Sequence, residues 1–197
     1  MASISNADPA RTASRTPASR YGTGAAILHW LMAALILVQV GIGFLFHSME
    51  RGPARADLFL WHKTLGVTIL LLALVRLGWR LMHRPPAYPP ELPRWQRLLA
   101  NWNHGLFYAL MIALPLTGLI AVSDGARTGM VRLQFGAEVP AVPGISEAIG
   151  EAMGDLHVLL VLATLALLAL HVAAAIKHQY FDRDRMTGRM PPLPPVE

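Results

Sequence analysis

The amino-acid sequence predicts an all-α integral membrane protein, an antiparallel bundle of four transmembrane helices. Hydrophobic residues make up 54% of the 197 residues and charged residues only 15%, whereas soluble domains average about 25% charged residues. The apolar residues are concentrated in four long runs, and nearly all charged residues lie between these runs. As a helix, each run is long enough to cross about 30 Å of hydrocarbon.

The four predicted spans follow one another along the chain. Residues 25–46 and 98–122 form the first and third spans and contain no charged residue. The second span, residues 58–81, carries basic residues only near its ends, where long side chains can reach the headgroups. The fourth span covers residues 156–177. A proline-rich connection, residues 85–93, separates the second span from the third.

The segments outside the spans complete a single-domain organisation. Residues 21–185 form the predicted domain, between a disordered N-terminus, residues 1–20, and a C-terminal tail, residues 186–197, that is also predicted to be disordered. The longest connection, residues 124–155, lies between the third and fourth spans. We expect a short amphipathic piece at residues 146–153 within it.

Basic residues predict the orientation of the bundle. An even number of spans places both termini at the same end. Twelve of the 17 Lys and Arg residues lie at that end, against five at the other (Arg51, Arg55, Lys63, Arg127 and Arg132). Because cytoplasmic loops are enriched in Lys and Arg, the termini are predicted to be cytoplasmic. We call this the inner end and the opposite one the outer end.

Composition excludes several classes of function. The chain has no cysteine, so it forms no disulfide, no cysteine-ligated iron-sulfur cluster and no c-type heme attachment. The net charge of +5 is interpreted as a topology signal, and no nucleic-acid partner is predicted. A proton or solute transporter would use acidic residues at membrane depth, and the spans lack them.

Five histidines lie at two depths of the predicted bundle. His29 and His104 are near the inner starts of the first and third spans, and His62 is near the outer start of the second. The fourth span carries His157 and His171, which are 14 residues apart. In a helix this spacing is about 21 Å and returns to within about 40° of the same direction. One face of one helix therefore offers a histidine at each depth.

These depths predict two pairs of imidazoles. At the outer level His157 can meet His62, and at the inner level His171 can meet His29, with His104 as a competitor. Histidine pairs facing each other inside a four-helix bundle suit two bis-histidine heme b groups. The alternative for a single histidine near a helix end is a position at the membrane interface. Four histidines at two matched depths favour ligands, because ionisable side chains inside membranes are costly and usually functional.

Longer motifs around these histidines resemble the bacterial cytochrome b561 family, small diheme b-type cytochromes of the inner membrane. The motifs are ILHWLM at His29, LWHKTLG followed by LVRLGWR at His62, HGLFYALMIALPLTGL in the third span, and LALHVAAAIKHQYF after His157. The resemblance covers about residues 20–185. It implies that His62 pairs with His157 and His29 with His171 as heme ligands, which leaves His104 over.

The resemblance also implies a function in electron transfer. Similar family members are superoxide:quinone oxidoreductases, which take electrons from superoxide at the periplasmic face and reduce ubiquinone. The five basic residues of the outer end could steer this anion, although seven acidic residues lie in the same loops. The donor could instead be a periplasmic redox partner. The alternative function is a b-type membrane anchor and quinone-reducing subunit of a hydrogenase or dehydrogenase complex, although the compact chain favours a stand-alone protein.

Five further residues are secondary candidates. Arg76 and Arg80 could bind the propionates of the inner heme and Lys63 those of the outer heme, but all three could equally be membrane anchors. His104 could hydrogen-bond a quinone carbonyl or lie in an aromatic belt. Gly118, 14 residues after His104, could make room in the outer layer, although small residues also serve close helix packing.

Overall fold

The computed structural model describes residues 20–90, 92–183 and 186–191. The disorder predicted for residues 1–19 and 192–197 lies outside these residues. The described chain contains four long helices, each apolar and long enough to cross a membrane. They are α1 Thr23–Ser48, α2 Pro53–Met82, α3 Arg94–Ala121 and α4 Glu147–Ile176, which continues as a π-helical turn, Lys177–Phe181. The predicted bundle of four transmembrane helices is therefore confirmed.

Two helices begin well before the predicted spans because their first turns are stabilised locally. Pro53 occupies the first turn of α2, where its fixed φ suits the helix and its missing N–H is not needed. At the start of α4, the Ser146 hydroxyl accepts a hydrogen bond from the Ile149 N–H at 3.4 Å. The separate amphipathic piece predicted at residues 146–153 is wrong, because these residues are the N-cap and first turns of α4.

The helices pack in sequence order, α1 on α2, α2 on α3 and α3 on α4. A cluster of buried residues from three helices lies at the middle of the bundle: Met32, Ile69, Ala73 and Met111. Many other large apolar side chains are exposed, among them Leu71 at 59% and Leu159 at 61%. Such an exterior suits lipid, in which helices satisfy their own backbone hydrogen bonds.

A small antiparallel hairpin, which the sequence did not predict, covers the outer end between α3 and α4. Its strands are β1 Met130–Arg132 and β2 Glu138–Pro140. Val131 and Leu133 are buried beneath it. At its tip, the Gln134 N–H donates to the Thr64 hydroxyl of α2 at 2.9 Å. The hairpin is thus fixed to α2.

Part of the C-terminal tail packs against the inner end. The Tyr21 N–H donates to the Arg189 carbonyl at 2.9 Å. The Arg189 guanidinium is buried, donates to the Pro86 carbonyl and lies 4.8 Å from the centre of the Tyr88 ring. The disorder predicted for the tail is therefore wrong for residues 186–191, because backbone and aromatic contacts hold them against the α2–α3 connection.

Candidate functional site

The outer level of the bundle brings His62 of α2 and His157 of α4 together. The centres of their rings are 6.2 Å apart. The Nδ1 of His157 is 2.9 Å from the carbonyl oxygen of Leu114 and 3.2 Å from the hydroxyl of Thr117, both on α3. A carbonyl can only accept, so the proton lies on Nδ1 and the Nε2 of His157 keeps its lone pair.

Two glycines make room for these rings. A Cβ on Gly43 of α1 would lie 3.2 Å from the Cε1 of His62, and a Cβ on Gly118 of α3 would lie 3.2 Å from the Cε1 of His157. Each imidazole therefore lies directly against the backbone of a neighbouring helix. Gly118 thus packs against a ring of the outer layer. That it makes room for a heme stays a prediction, and Gly43 was not predicted.

A cavity of about 550 Å³ adjoins the outer histidines. Residues of all four helices and of the hairpin line it, and the lining is mainly apolar, including Val40, Val67, Leu110, Val161 and Leu133. Lys63 also lines this cavity, and its ammonium lies 5.0 Å from the centre of the Phe59 ring. The outer site thus combines two imidazoles, one cation and an apolar wall.

The inner level gathers two histidines, His29 and His104, around His171. The ring centre of His171 is 6.4 Å from that of His29 and 6.0 Å from that of His104, and Phe107 packs edge-on against it at 5.4 Å. The Nδ1 of His104 donates to the Ala100 carbonyl at 2.5 Å. The competition between His29 and His104 therefore persists in the structure, since both rings adjoin His171.

Polar side chains of neighbouring helices meet two of these rings. The Nη2 of Arg76 is 3.0 Å from the Nδ1 of His29. The Nδ2 of Asn103 is 3.0 Å from the Nδ1 of His171, and the Oδ1 of the same amide is buried without a hydrogen-bond partner. Arg80 lies in the last turn of α2, one turn beyond Arg76 toward the inner end, and is half-buried.

One spacing relates the two halves of the bundle. Fourteen residues separate His29 from Gly43, His104 from Gly118, His62 from Arg76, and His157 from His171. The pair α1–α2 therefore repeats the pattern of α3–α4, with Arg76 in the place of His171. This repeat is the sequence signal that could have found Gly43. No such signal indicates Asn103 or Leu114, whose contacts depend on how the helices pack.

The residues of both levels fit a heme. Two imidazoles bound to opposite sides of one metal ion, each at about 2 Å, have ring centres roughly 6 Å apart. The values for His62–His157, His29–His171 and His104–His171 are all close to this. Within residues 20–90, 92–183 and 186–191, no group of three or more His, Cys, Asp or Glu side chains is arranged to hold a metal ion. Pairs of imidazoles suit a metal whose other ligands come from a macrocycle.

Several known proteins are similar to this chain over most of its length. The profile of the family described as prokaryotic cytochrome b561 matches residues 20–192. Cytochrome b561 homolog 2 of Escherichia coli (strain K12) is 30% identical over 180 residues, 87% of this chain and 90% of that protein. The probable superoxide oxidase CybB of Yersinia pestis is 27% identical over 170 residues, 84% of this chain and 92% of that protein. Cytochrome b562 of Cereibacter sphaeroides is 29% identical over 175 residues, 83% of this chain and 89% of that protein.

Proposed function

Because the chain belongs to the prokaryotic cytochrome b561 family, we propose that it transfers electrons from periplasmic superoxide to ubiquinone with two heme b groups. Membership makes it a multi-pass electron-transfer protein of the bacterial inner membrane, with b-type heme as its cofactor. The number of hemes, the donor, the quinone and the ligands are the parts that we propose here.

The observation that carries the proposal is the pair of histidines at each end of the bundle. His62 and His157 have ring centres 6.2 Å apart, and His29 and His171 have ring centres 6.4 Å apart. We assign the first pair to an outer heme and the second to an inner heme. When bound, each heme supplies an iron that is reversibly reduced by one electron.

The backbone of α3 orients one ligand of the outer pair, His157. The Leu114 carbonyl fixes the proton of His157 on Nδ1, which directs its Nε2 to the metal.

The buried cluster around Met32 and Met111 lies between the two levels. Its side chains offer water and ions no hydrogen-bond partner between the two levels.

Arg76 connects ligand binding with propionate binding at the inner end. A guanidinium only donates, so a His29 that accepts from Arg76 at Nδ1 carries its proton on Nε2 and cannot bind a metal. Ligation by His29 therefore requires Arg76 to leave Nδ1. The released guanidinium is then available to a propionate carboxylate of the inner heme. Arg80, one turn away, could bind the same heme, and Lys63 has the same role at the outer level.

Superoxide is the proposed donor because cations adjoin the outer site. Lys63 lines the cavity beside the two outer histidines, and Arg132 of β1 lies within electrostatic range of it. These two cations suit a small anion. The name of the Yersinia pestis relative, a probable superoxide oxidase, supports the same donor.

Ubiquinone is the proposed acceptor at the inner end, near His104. The Nδ1–H of this histidine is already donated to the Ala100 carbonyl. A neutral His104 therefore presents its Nε2 as an acceptor, which suits the hydroxyl of a reduced quinone better than the carbonyl of an oxidised one.

Loss of individual hemes tests the ligand assignment. The purified protein should contain two hemes per chain in a pyridine hemochrome assay. His62→Ala and His157→Ala should each remove the same heme, and His29→Ala and His171→Ala the other. A correctly folded but colourless protein contradicts the function, and loss of the inner heme in His104→Ala contradicts the pairing.

Reduction of ubiquinone by a superoxide source tests the donor. The two-heme protein should consume superoxide and form ubiquinol faster than uncatalysed dismutation allows. His157→Ala, which should lack the outer heme, serves as the control. Heme reduction by dithionite without any turnover with superoxide favours the alternative, an anchor subunit that needs a partner protein.

A further inference from the structure

The two histidines of α4 differ in what faces their Nδ1 atoms. At the outer level, the Nδ1 of His157 faces a backbone carbonyl, which can only accept. At the inner level, the Nδ1 of His171 faces a side-chain amide, that of Asn103, at 3.0 Å. An acceptor at Nδ1 leaves the lone pair on Nε2, whereas a donor at Nδ1 places the proton on Nε2. Only the orientation with Oδ1 toward Nδ1 is therefore compatible with a metal bound at the Nε2 of His171.

The Asn103 amide can take either orientation in the same space. Its oxygen and nitrogen exchange places on rotation by 180°, and the two are assigned from the hydrogen-bond network. Its Oδ1 is buried without a partner when Nδ2 faces His171. Each orientation gives the amide one hydrogen bond to His171, so the protonation of His171 selects between them.

We propose that Asn103 Oδ1 accepts the Nδ1–H of His171 and thereby positions its Nε2 as a ligand of the inner heme. This inference rests on the proposed function. A stronger acceptor at Nδ1 makes the imidazole a stronger electron donor and favours the oxidised iron. Asn103 is thus a positioning residue that helps set the reduction potential of the inner heme, and its neighbours His104 and Phe107 contact the same ring.

The reduction potential of the inner heme tests the proposal. We expect potentials in the order Asn103→Asp, wild type, Asn103→Ser and Asn103→Leu, from lowest to highest, because the acceptor weakens in that order. Asn103→Asp should shift the reduction equilibrium at least tenfold, which is about 59 mV for one electron. Spectroscopic redox titration of the two-heme protein measures both components, and the inner one is the component that His171→Ala lacks.

Asn101→Asp is the matched control. Asn101 lies on the same helix, so its substitution by Asp adds the same charge near the same depth. The Oδ1 of Asn101 accepts from the Tyr88 hydroxyl at 2.7 Å and not from His171. We expect a smaller shift of the inner potential in this variant, and no shift of the outer potential in any Asn103 variant.

Two results would overturn the inference. One is an Asn103→Asp shift no larger than that of Asn101→Asp, and the other is a shift in the same direction for Asn103→Asp and Asn103→Ser. Asn103→Ser keeps a small acceptor, so the order remains measurable if Asn103→Leu does not fold. A wild-type protein with two bis-histidine hemes but no such order contradicts only the role of Asn103. A wild type without an inner heme contradicts the proposed function itself.

Discussion

At the level of single residues, a methyl group added at Gly118 should weaken binding of the outer heme without preventing the protein from folding. A Cβ at this position would lie 3.2 Å from the Cε1 and 3.3 Å from the Nδ1 of His157. The ring cannot retreat without weakening its hydrogen bond to Leu114, and overpacking typically costs about 1–3 kcal/mol. We therefore expect Gly118→Ala to lower the affinity for the outer heme roughly tenfold, as a loss of 1.4 kcal/mol implies, while the inner heme is retained.

Gly105→Ala provides the control on the same helix. A Cβ at Gly105 has nothing within 4 Å, and alanine favours a helix over glycine by about 1 kcal/mol. This variant should keep both hemes and be at least as stable as wild type. Heme content during titration with an apo-heme acceptor measures both variants, and equal loss of the outer heme in the two would contradict the packing argument.

Individual residues also mark the limit of prediction from the sequence. The depth of each histidine follows from its place in a charge-free run, and both predicted pairs have adjacent rings in the structure. Their role as heme ligands stays a prediction. The partners of Nδ1, Leu114 and Asn103, could not be predicted, because they depend on the rotation of α3 against α4.

At the level of elements, the buried side of the hairpin should contribute to the stability of the bundle. Leu133 is buried, lines the cavity and donates its N–H to the Ala137 carbonyl at 2.8 Å. Buried Leu→Ala substitutions cost about 2–5 kcal/mol, and the lower end applies at the rim of a cavity. We expect Leu133→Ala to lower the unfolding midpoint in detergent by several degrees.

Phe135→Ala is the matched control within the same hairpin. The Phe135 side chain is 87% exposed. Within the described residues, its one contact with another aromatic ring is edge-on, with Trp61. Its truncation should change the midpoint little. Thermal loss of the heme absorbance compares the two variants, and a Phe135→Ala effect as large as that of Leu133→Ala would show that the hairpin does not act through its buried side.

The elements themselves divide into those that the sequence predicts and those that it does not. Long apolar runs predict the four helices because only a helix satisfies the backbone inside lipid. Their ends are less predictable, since the first turns of α2 and α4 lie in polar sequence and depend on Pro53 and Ser146. The three-residue strands of the hairpin are too short for an alternating pattern to reveal.

At the level of the whole molecule, the repeat explains why the two ends of the bundle differ. Both halves place a histidine at the outer level, His62 and His157, but the inner level carries His171 in one half and Arg76 in the other. The outer end is therefore a nearly symmetric pair of imidazoles. The inner end combines imidazoles with a cation, so it suits anionic propionates as well as a metal.

The proposed direction of electron transfer depends on the orientation of the whole bundle, which single cysteines can test. The chain has no native cysteine, so an introduced thiol is labelled without background. Phe135, at the tip of the hairpin, and Ala87, in the α2–α3 connection, are both exposed and lie at opposite ends. In intact spheroplasts, a membrane-impermeant maleimide should label Phe135→Cys and leave Ala87→Cys unlabelled until the membrane is permeabilised. The reverse pattern would place Lys63 and the cavity on the cytoplasmic side, where periplasmic superoxide cannot reach them.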